Sequence, residues 1–279
     1  MKINKDSLKA RANNIAKKHD VSQNVIYDRF FFDAFLTRLA VSPYRDKLIL
    51  KGGIYLSSLL GINNRSTIDI DFYGRQIEME QETIGNVIKD ILSIDVDDGI
   101  KFLYLGISSI REDDRYGGFQ IFVRGKLDNV RHDFSIDIAT GDPIIPSEKD
   151  YDYKCLVTEE VLPLKAYSLE TIVSEKLQTV LVRALANSRS KDYYDLYILE
   201  KLQKDNINIA YLKKAFEETC KYRKFTMTKK DAIELLFVIE TNEQIQLRWR
   251  TYSKRNKYAN VDLKDAIKAI RYWIDKAYV

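Results

Sequence analysis

The sequence predicts an α/β (α+β) protein: an N-terminal lobe built on a mixed sheet over residues 1–164, then an all-helical C-terminal lobe over residues 165–279. Two observations carry this. Up to Pro163, short β-rich runs alternate with helical periods; from Ser168 onward helical periods follow one another with few strand signals. A third observation permits it: with 279 residues, 45% of them hydrophobic, the chain can bury a substantial core in each lobe.

The elements read in order as follows. Residues 5–19 form a basic helix, and residues 23–40 a second one with Ile26, Phe30, Phe31, Ala34 and Phe35 on one side. Leu48-Ile49-Leu50 leads into Lys51-Gly52-Gly53. Ile54 to Leu60 is a short helix stopped by Gly61, a C-terminal cap glycine. Arg65 to Tyr73 reads as a strand. Residues 79–93 form an amphipathic helix with Ile84, Val87, Ile88, Ile91 and Leu92 apolar. Strands follow at about 101–110, 118–127 and 131–138, with a hairpin turn at Gly117-Gly118. The chain is then irregular from Asp142 through Pro163. Helices are expected at 168–186, 190–203, 207–222, 229–243 and 262–277, and no internal repeat is visible.

Composition excludes several classes. A net charge of +4 is too small to imply nucleic-acid binding by itself, so that argument must rest on local clusters. The two cysteines, Cys155 and Cys220, stand in no CxxC or Cys/His pattern, which argues against a zinc site or a disulfide framework and fits a reducing cytoplasm. The start of the chain lacks the apolar run of a signal peptide, and no stretch of about 18 apolar residues suggests a membrane span. His19 and His132 have no partner at metal or triad spacing, so hydrolysis of the Ser/His/Asp or Cys/His kind lacks support.

The chemistry centres on Ile68-Asp69-Ile70-Asp71-Phe72. In a strand, Asp69 and Asp71 share one face while Ile68, Ile70 and Phe72 turn to the core. Asp is depleted in strands, so two of them flanking one Ile need a reason beyond solvation. Two carboxylates roughly 6–7 Å apart along a strand repel when both are ionised, and a divalent cation relieves this. Mg²⁺ favours carboxylate oxygens together with substrate phosphates. In Phe134-Ser135-Ile136-Asp137-Ile138, Asp137 takes the polar face; if that strand lies beside the Asp69 strand, three carboxylates converge. Gly52-Gly53 at a helix start allows close approach of a phosphate to free N–H groups; a plain tight turn is the better explanation of a lone Gly-Gly, and the aspartate pair downstream shifts the balance. Together these residues indicate a metal-dependent phosphoryl- or nucleotidyl-transfer site.

Three further groups stand out. Lys176, with Val180 and Arg183 on its helical face, could meet a triphosphate as a point cation or form a solvated basic face. Asp192 and Asp195 share one side of the next helix, where an acidic first turn explains Asp192 better than Asp195. The run Arg248-Trp249-Arg250-Thr251-Tyr252-Ser253-Lys254-Arg255-Asn256-Lys257 holds five cations and no acid. It suits phosphate pairing and base stacking, or a basic surface loop with Trp249 anchored in the core.

Assembled, these residues resemble the AbiEii/AbiGii family of nucleotidyltransferase-like toxins of type IV toxin–antitoxin systems, including the mycobacterial MenT relatives. The matching elements are Leu50-Lys51-Gly52-Gly53, Arg65-Ser66-Thr67-Ile68-Asp69-Ile70-Asp71-Phe72, Glu175-Lys176-Leu177 and Lys191-Asp192-Tyr193-Tyr194-Asp195-Leu196. The resemblance implies a polymerase-β-like nucleotidyltransferase fold with a helical C-terminal lobe. It implies an abortive-infection toxin with an antitoxin encoded nearby, and an NTP substrate, GTP or CTP among the candidates. Carried over by position, Lys51, Gly52, Gly53, Arg65, Ser66, Thr67 and Lys176 would meet the nucleotide. Asp69 and Asp71, with Asp137 added on strand logic, would bind Mg²⁺. Lys176 and one of Asp192 or Asp195 would be further essential residues. The broader family motif begins Gly-Ser where this chain has Gly52-Gly53, so the hydroxyl contact to phosphate falls to Thr67 or Ser66.

The expected function is therefore that of a cytoplasmic toxin transferring a nucleotide from an NTP onto tRNA. Arg248, Trp249, Arg250, Lys254, Arg255 and Lys257 are the candidate RNA contacts. Nucleotidylation of a protein or small molecule, and a non-enzymatic NTP-binding protein acting through a partner, are the competing readings. A nuclease fits less well, since no Glu-x-Lys closely follows the Asp137 strand.

Overall fold

A computed structural model describes residues 3–67, 69–110, 117–186 and 189–278. The chain divides into two compact units, one of residues 1–141 and 149–166, the other of residues 142–148 and 167–279. The boundary expected at Leu164 falls inside a strand.

The first unit starts with helices α1 (Lys5–His19) and α2 (Gln23–Val41), capped by the side chains of Asn4 and Ser22. Then come β1 (Leu48–Lys51), α3 (Gly52–Leu60), β2 (Ile70–Gly74) and α4 (Gln81–Ser93). They are followed by β3 (Ile100–Ile110), β4 (Gly118–Leu127), β5 (Val130–Ala139), β6 (Lys149–Lys154) and β7 (Val161–Ala166). The seven strands form one mixed sheet in the order β3-β4-β5-β2-β1-β7-β6. β2 runs parallel to β5 and β1 parallel to β7, while the other neighbours are antiparallel. One row of sheet residues, Ile70, Phe72, Ile121, Val123, Ile136 and Ile138, is fully buried. It forms the core with Phe31, Phe32 and Phe35 of α2 and Ile84, Ile88 and Ile91 of α4. The strand alternation leaves the intervening residues, Asp71 and Asp137 among them, on the opposite face.

Several expectations need correction. The strand expected from Arg65 begins only at Ile70. Before it, Gly61 O accepts the N–H groups of Asn64 and Arg65, and Thr67 Oγ1 accepts that of Asp69 at 3.2 Å, so local turns outcompete the sheet. Asp69 thus sits in the approach to β2, not within it. The expected inward face of Ile68 lies outside the described residues, and of the Gly117-Gly118 expected to form the hairpin turn, Gly118 is already the first residue of β4. The segment expected to be irregular holds β6 and β7. In β6 only Tyr153 is buried, so its charged sequence hides the strand. Pro163 argues against β7, yet β1 meets β7 at Ala166, beyond that proline. A buried polar knot holds this region to α2: Asp33 accepts from Arg29 Nε, from the Tyr153 hydroxyl at 2.5 Å and from Leu156 N at 2.6 Å. Burial raises the Asp33 carboxyl above its usual range, with Arg29 pulling the other way.

The second unit holds α5 (Leu169–Arg183), α6 (Ser190–Gln203), α7 (Ile209–Tyr222), α8 (Lys229–Thr241), α9 (Glu243–Arg255) and α10 (Leu263–Ala277). α10 packs on α5, α6, α7 and α8. Its Trp273 is fully buried and donates Nε1–H to Leu196 O at 2.8 Å. The segment 142–148 is tied to this unit by Asp142, which takes two hydrogen bonds from Arg223, and by Ile145, which bonds Ser168 and Thr171. Helix α9 went unrecognised in the sequence because its charge masks a narrow apolar seam of Ile245 and Trp249. Asn242 caps it through the N–H of Ile245. Among the described residues, no helix is long and apolar enough to cross a membrane.

Candidate active site

The site in the first unit is built where β1 turns into α3. Gly52 adopts φ +64°, a left-handed conformation open chiefly to glycine, and so swings the chain from strand to helix in one residue. A methyl group on Gly52 would fall on the Asp71 carboxylate, and one on Gly53 would fall on Thr67 Oγ1. The two glycines thus leave the room in which Asp71 and Thr67 approach the helix start. Gly53 donates its N–H to Asp71 Oδ2 at 3.2 Å, one of the donors that a helix N-terminus leaves without an internal partner.

The sheet registers place the rest. Lys51 is the partner of Asp71 across β1/β2, Asp71 of Asp137 across β2/β5, and Asp137 of Gln120 across β5/β4. The four residues therefore form one polar row over four strands, with the two carboxylates in the middle. Gln120 Nε2 donates to Asp137 Oδ1 at 2.9 Å and lies 3.5 Å from Ser135 Oγ. Thr67 and Asp69, both half-buried, stand beside this row in the loop before β2; Ser66 is also half-buried there, and Arg65 is buried, donating to Ser66 O. Gln120 was missed in the sequence, though strand alternation in β4 puts it on the face opposite Ile121.

The expectation of three converging carboxylates is met for Asp71 and Asp137, which share a row, while Asp69 sits outside the strand. Among the described residues, no group of three or more His, Cys, Asp or Glu side chains is gathered closely enough to hold a metal ion. The donor chemistry nevertheless fits a hard divalent cation. Two carboxylates suffice where substrate phosphates complete the shell.

The candidate residues of the second unit form a cluster of their own within it. Lys176 Nζ on α5 donates to Asp192 Oδ1 at 3.0 Å and Asp195 Oδ2 at 2.7 Å on α6, and Arg189 Nε lies 2.9 Å from Asp192 Oδ2. The Asp192 and Asp195 side chains are 1% and 0% exposed, that of Lys176 13%. The acidic-first-turn reading therefore does not explain Asp195; its charge is compensated by Lys176. Arg189, the residue at the N-cap of α6, was missed, although it stands only three positions before Asp192.

The basic run lies on α9 and the turn after it, and so is not a loop. Arg248, Arg250, Lys254, Arg255 and Lys257 are exposed. Arg250, Lys254 and Lys257 line an open groove of about 790 Å³ together with Ser253, Asn260, Asp262 and Asp265. Trp249 corrects the expectation of a stacking surface. It is 3% exposed and donates Nε1–H to Val261 O at 2.9 Å, so its ring belongs to the core. His132, read as incidental, pairs with Asp28 at 2.6 Å and stacks between Phe31 and Phe134.

The profile of the nucleotidyl transferase AbiEii toxin family, type IV TA system, matches residues 34–274. No curated protein matches the sequence significantly. Among solved structures, JHP933 from Helicobacter pylori shares the fold, with a TM-score of 0.53 at 16% identity over 91% of each chain. A candidate nucleotidyltransferase from H. pylori gives a TM-score of 0.49 at 15% identity, covering 91% of this chain and 95% of that one. The chain belongs to the AbiEii family of nucleotidyl transferase toxins of type IV toxin–antitoxin systems.

Proposed function

We propose that this toxin moves a nucleoside monophosphate from an NTP to an acceptor hydroxyl, with tRNA as the acceptor. The observation that carries the reading is the adjacency of the Gly52-Gly53 turn, with Gly53 N–H on Asp71, to the Asp71–Asp137 pair in one sheet row. The glycine turn receives the triphosphate: phosphate oxygens compete with Asp71 for the helix N-terminal N–H groups, and Thr67 and Ser66 offer hydroxyls beside them. Displacing Asp71 from Gly53 frees its carboxylate. Asp71 and Asp137, with Asp69 drawn in from the loop before β2, would then hold Mg²⁺, which would neutralise triphosphate charge when bound. The acceptor hydroxyl attacks the α-phosphorus in line; a P–O bond forms, the bond to pyrophosphate breaks, and the hydroxyl proton passes to Asp137. Preorganised charge at the developing phosphorane is the main catalytic contribution.

The exposed cations on α9 and in the turn after it support a polyanionic acceptor, because Arg250, Lys254 and Lys257 border one groove. The test is to incubate the purified protein with each labelled NTP, Mg²⁺, and either total RNA or total protein. Label in the tRNA fraction supports the proposal. Label in protein only, or bound NTP with no transfer, moves the reading to its two competitors.

A further inference from the structure

We propose that Gln120 is a positioning residue: its side-chain amide fixes the direction in which Asp137 presents its carboxylate. The inference rests on the reading of Asp137 as a site carboxylate, and it concerns a residue outside every motif discussed above. Asp137 is the partner of Gln120 in the β4/β5 register, so the two side chains rise from the same sheet face side by side. Neighbouring residues Ile121 and Ile136 are fully buried on the other face, which pins both backbones. The hydrogen bond runs in one direction only. An ionised carboxylate has no proton to give, so the amide must turn its NH₂ end toward Asp137, and the 2.9 Å contact is from Nε2 to Oδ1. The same NH₂ end lies 3.5 Å from Ser135 Oγ, two residues earlier on β5. A neutral donor in this place orients a carboxylate without cancelling its charge. A Lys there would compete with any cation for Asp137. At the other end of the row Lys51, the partner of Asp71, supplies the positive member. The row thus reads cation, carboxylate, carboxylate, neutral donor.

Outer partners that orient ligating carboxylates typically change metal affinity or activity about 10–100-fold when removed. The experiment measures Mn²⁺ binding to the full-length protein by electron paramagnetic resonance, beside melting temperature and transfer kinetics, for wild type and Gln120→Met. Methionine keeps the unbranched stem and deletes the donor. Mn²⁺ affinity should fall about 10–100-fold at an unchanged melting temperature, and kcat should fall while KM for the NTP stays near the wild-type value. Gln120→Leu is the second variant should methionine disturb β4, with the same expectation. Wild-type Mn²⁺ affinity in a folded variant overturns the inference. Weakened Mn²⁺ binding alongside a wild type that transfers no nucleotide leaves the positioning role standing and rejects nucleotidyl transfer. A wild type that takes up no Mn²⁺ rejects the cation-site reading and this inference with it.

Discussion

Asp71 of β2 and Asp137 of β5 are register partners in a parallel strand pair, and the first of them accepts the N–H of Gly53. Two like charges in one row, at a strand spacing of about 4.8 Å, disfavour each other in the absence of a compensating cation. Asp71→Asn keeps the shape and an acceptor for Gly53 while removing one charge. It should abolish transfer and weaken Mn²⁺ binding, with the melting temperature held or slightly raised. Asp69→Ala should also abolish transfer with the fold intact. Transfer at the wild-type rate in both variants would remove this site from the reaction.

Gly52→Ala places a side chain at φ +64° and pushes into the Asp71 carboxylate. The conformational part costs about 1–2 kcal/mol, and the displaced carboxylate adds to it. Thermal denaturation should show the loss, and NTP titration should show weakened binding. An alanine variant with unchanged melting temperature and NTP affinity would mean that the turn relaxes freely.

A lysine that only reached for a triphosphate could be removed without harm to the fold. Lys176 instead faces two carboxylates with almost no exposure. Lys176→Met should destabilise the protein by about 3–5 kcal/mol, the usual effect of leaving a buried charge uncompensated. Urea denaturation of Lys176→Met and of Lys176→Met/Asp195→Asn checks this; the second change should restore part of the loss. Equal stability of Lys176→Met and wild type would return the lysine to a purely catalytic part.

For α9, filter binding of tRNA at several salt concentrations separates charge from packing. Neutralising Arg248, Arg250, Lys254, Arg255 and Lys257 should make the log–log salt slope shallower by about 0.7–0.9 per lost phosphate contact. Trp249→Ala should act differently, costing about 3–5 kcal/mol of stability as a core truncation. Identical slopes for wild type and the neutralised protein would point to a protein or small-molecule acceptor.

Alkaline pH offers a test of the two thiols, Cys155 buried and Cys220 half-buried. Burial pushes Cys155 up to about 12 and Cys220 up to about 11. A thiol that stays protonated only in the folded state stabilises it below the ordinary thiol range and loses that contribution as pH rises toward the folded value. Stability from denaturant titrations should therefore fall between about pH 9 and 11, by up to about 1.4 kcal/mol per unit for Cys155 and by less for Cys220, which solvent screens. Cys155→Ala should flatten the fall; an unchanged slope would assign it to other groups.

The sequence was most legible where one period governed one element. The helices of the second unit other than α9, and β3 to β5, follow their apolar spacing, whereas the alternation around Asp137 posed the neighbouring of β2 and β5 only as a condition, which the register meets. Legibility failed where a residue serves a partner far along the chain. Tyr153 looks like one aromatic in a charged stretch until Asp33, 120 positions earlier, supplies its acceptor. Lys176 read as a triphosphate cation or a solvated face because its partners lie 16 and 19 residues away on another helix. Trp249 read equally as a stacking ring or a core anchor because the carbonyl that takes its N–H belongs to Val261, past the end of its helix. Gln120 carries no motif at all; only strand pairing gives it a task.

The chain passes from one unit to the other at 141/142, returns at 148/149 and leaves again at 166/167. Synthesis on the ribosome therefore cannot complete the first unit before part of the second has emerged. Strand β1 waits for its parallel neighbour until Ala166 is made, over a hundred residues later. Nor can either unit be excised with a single cut. A fragment ending at Leu164 would shorten the strand between β1 and β6, and one starting at Tyr167 would lack the Asp142 that anchors Arg223. Neither half of this toxin is expected to be a tractable piece by itself.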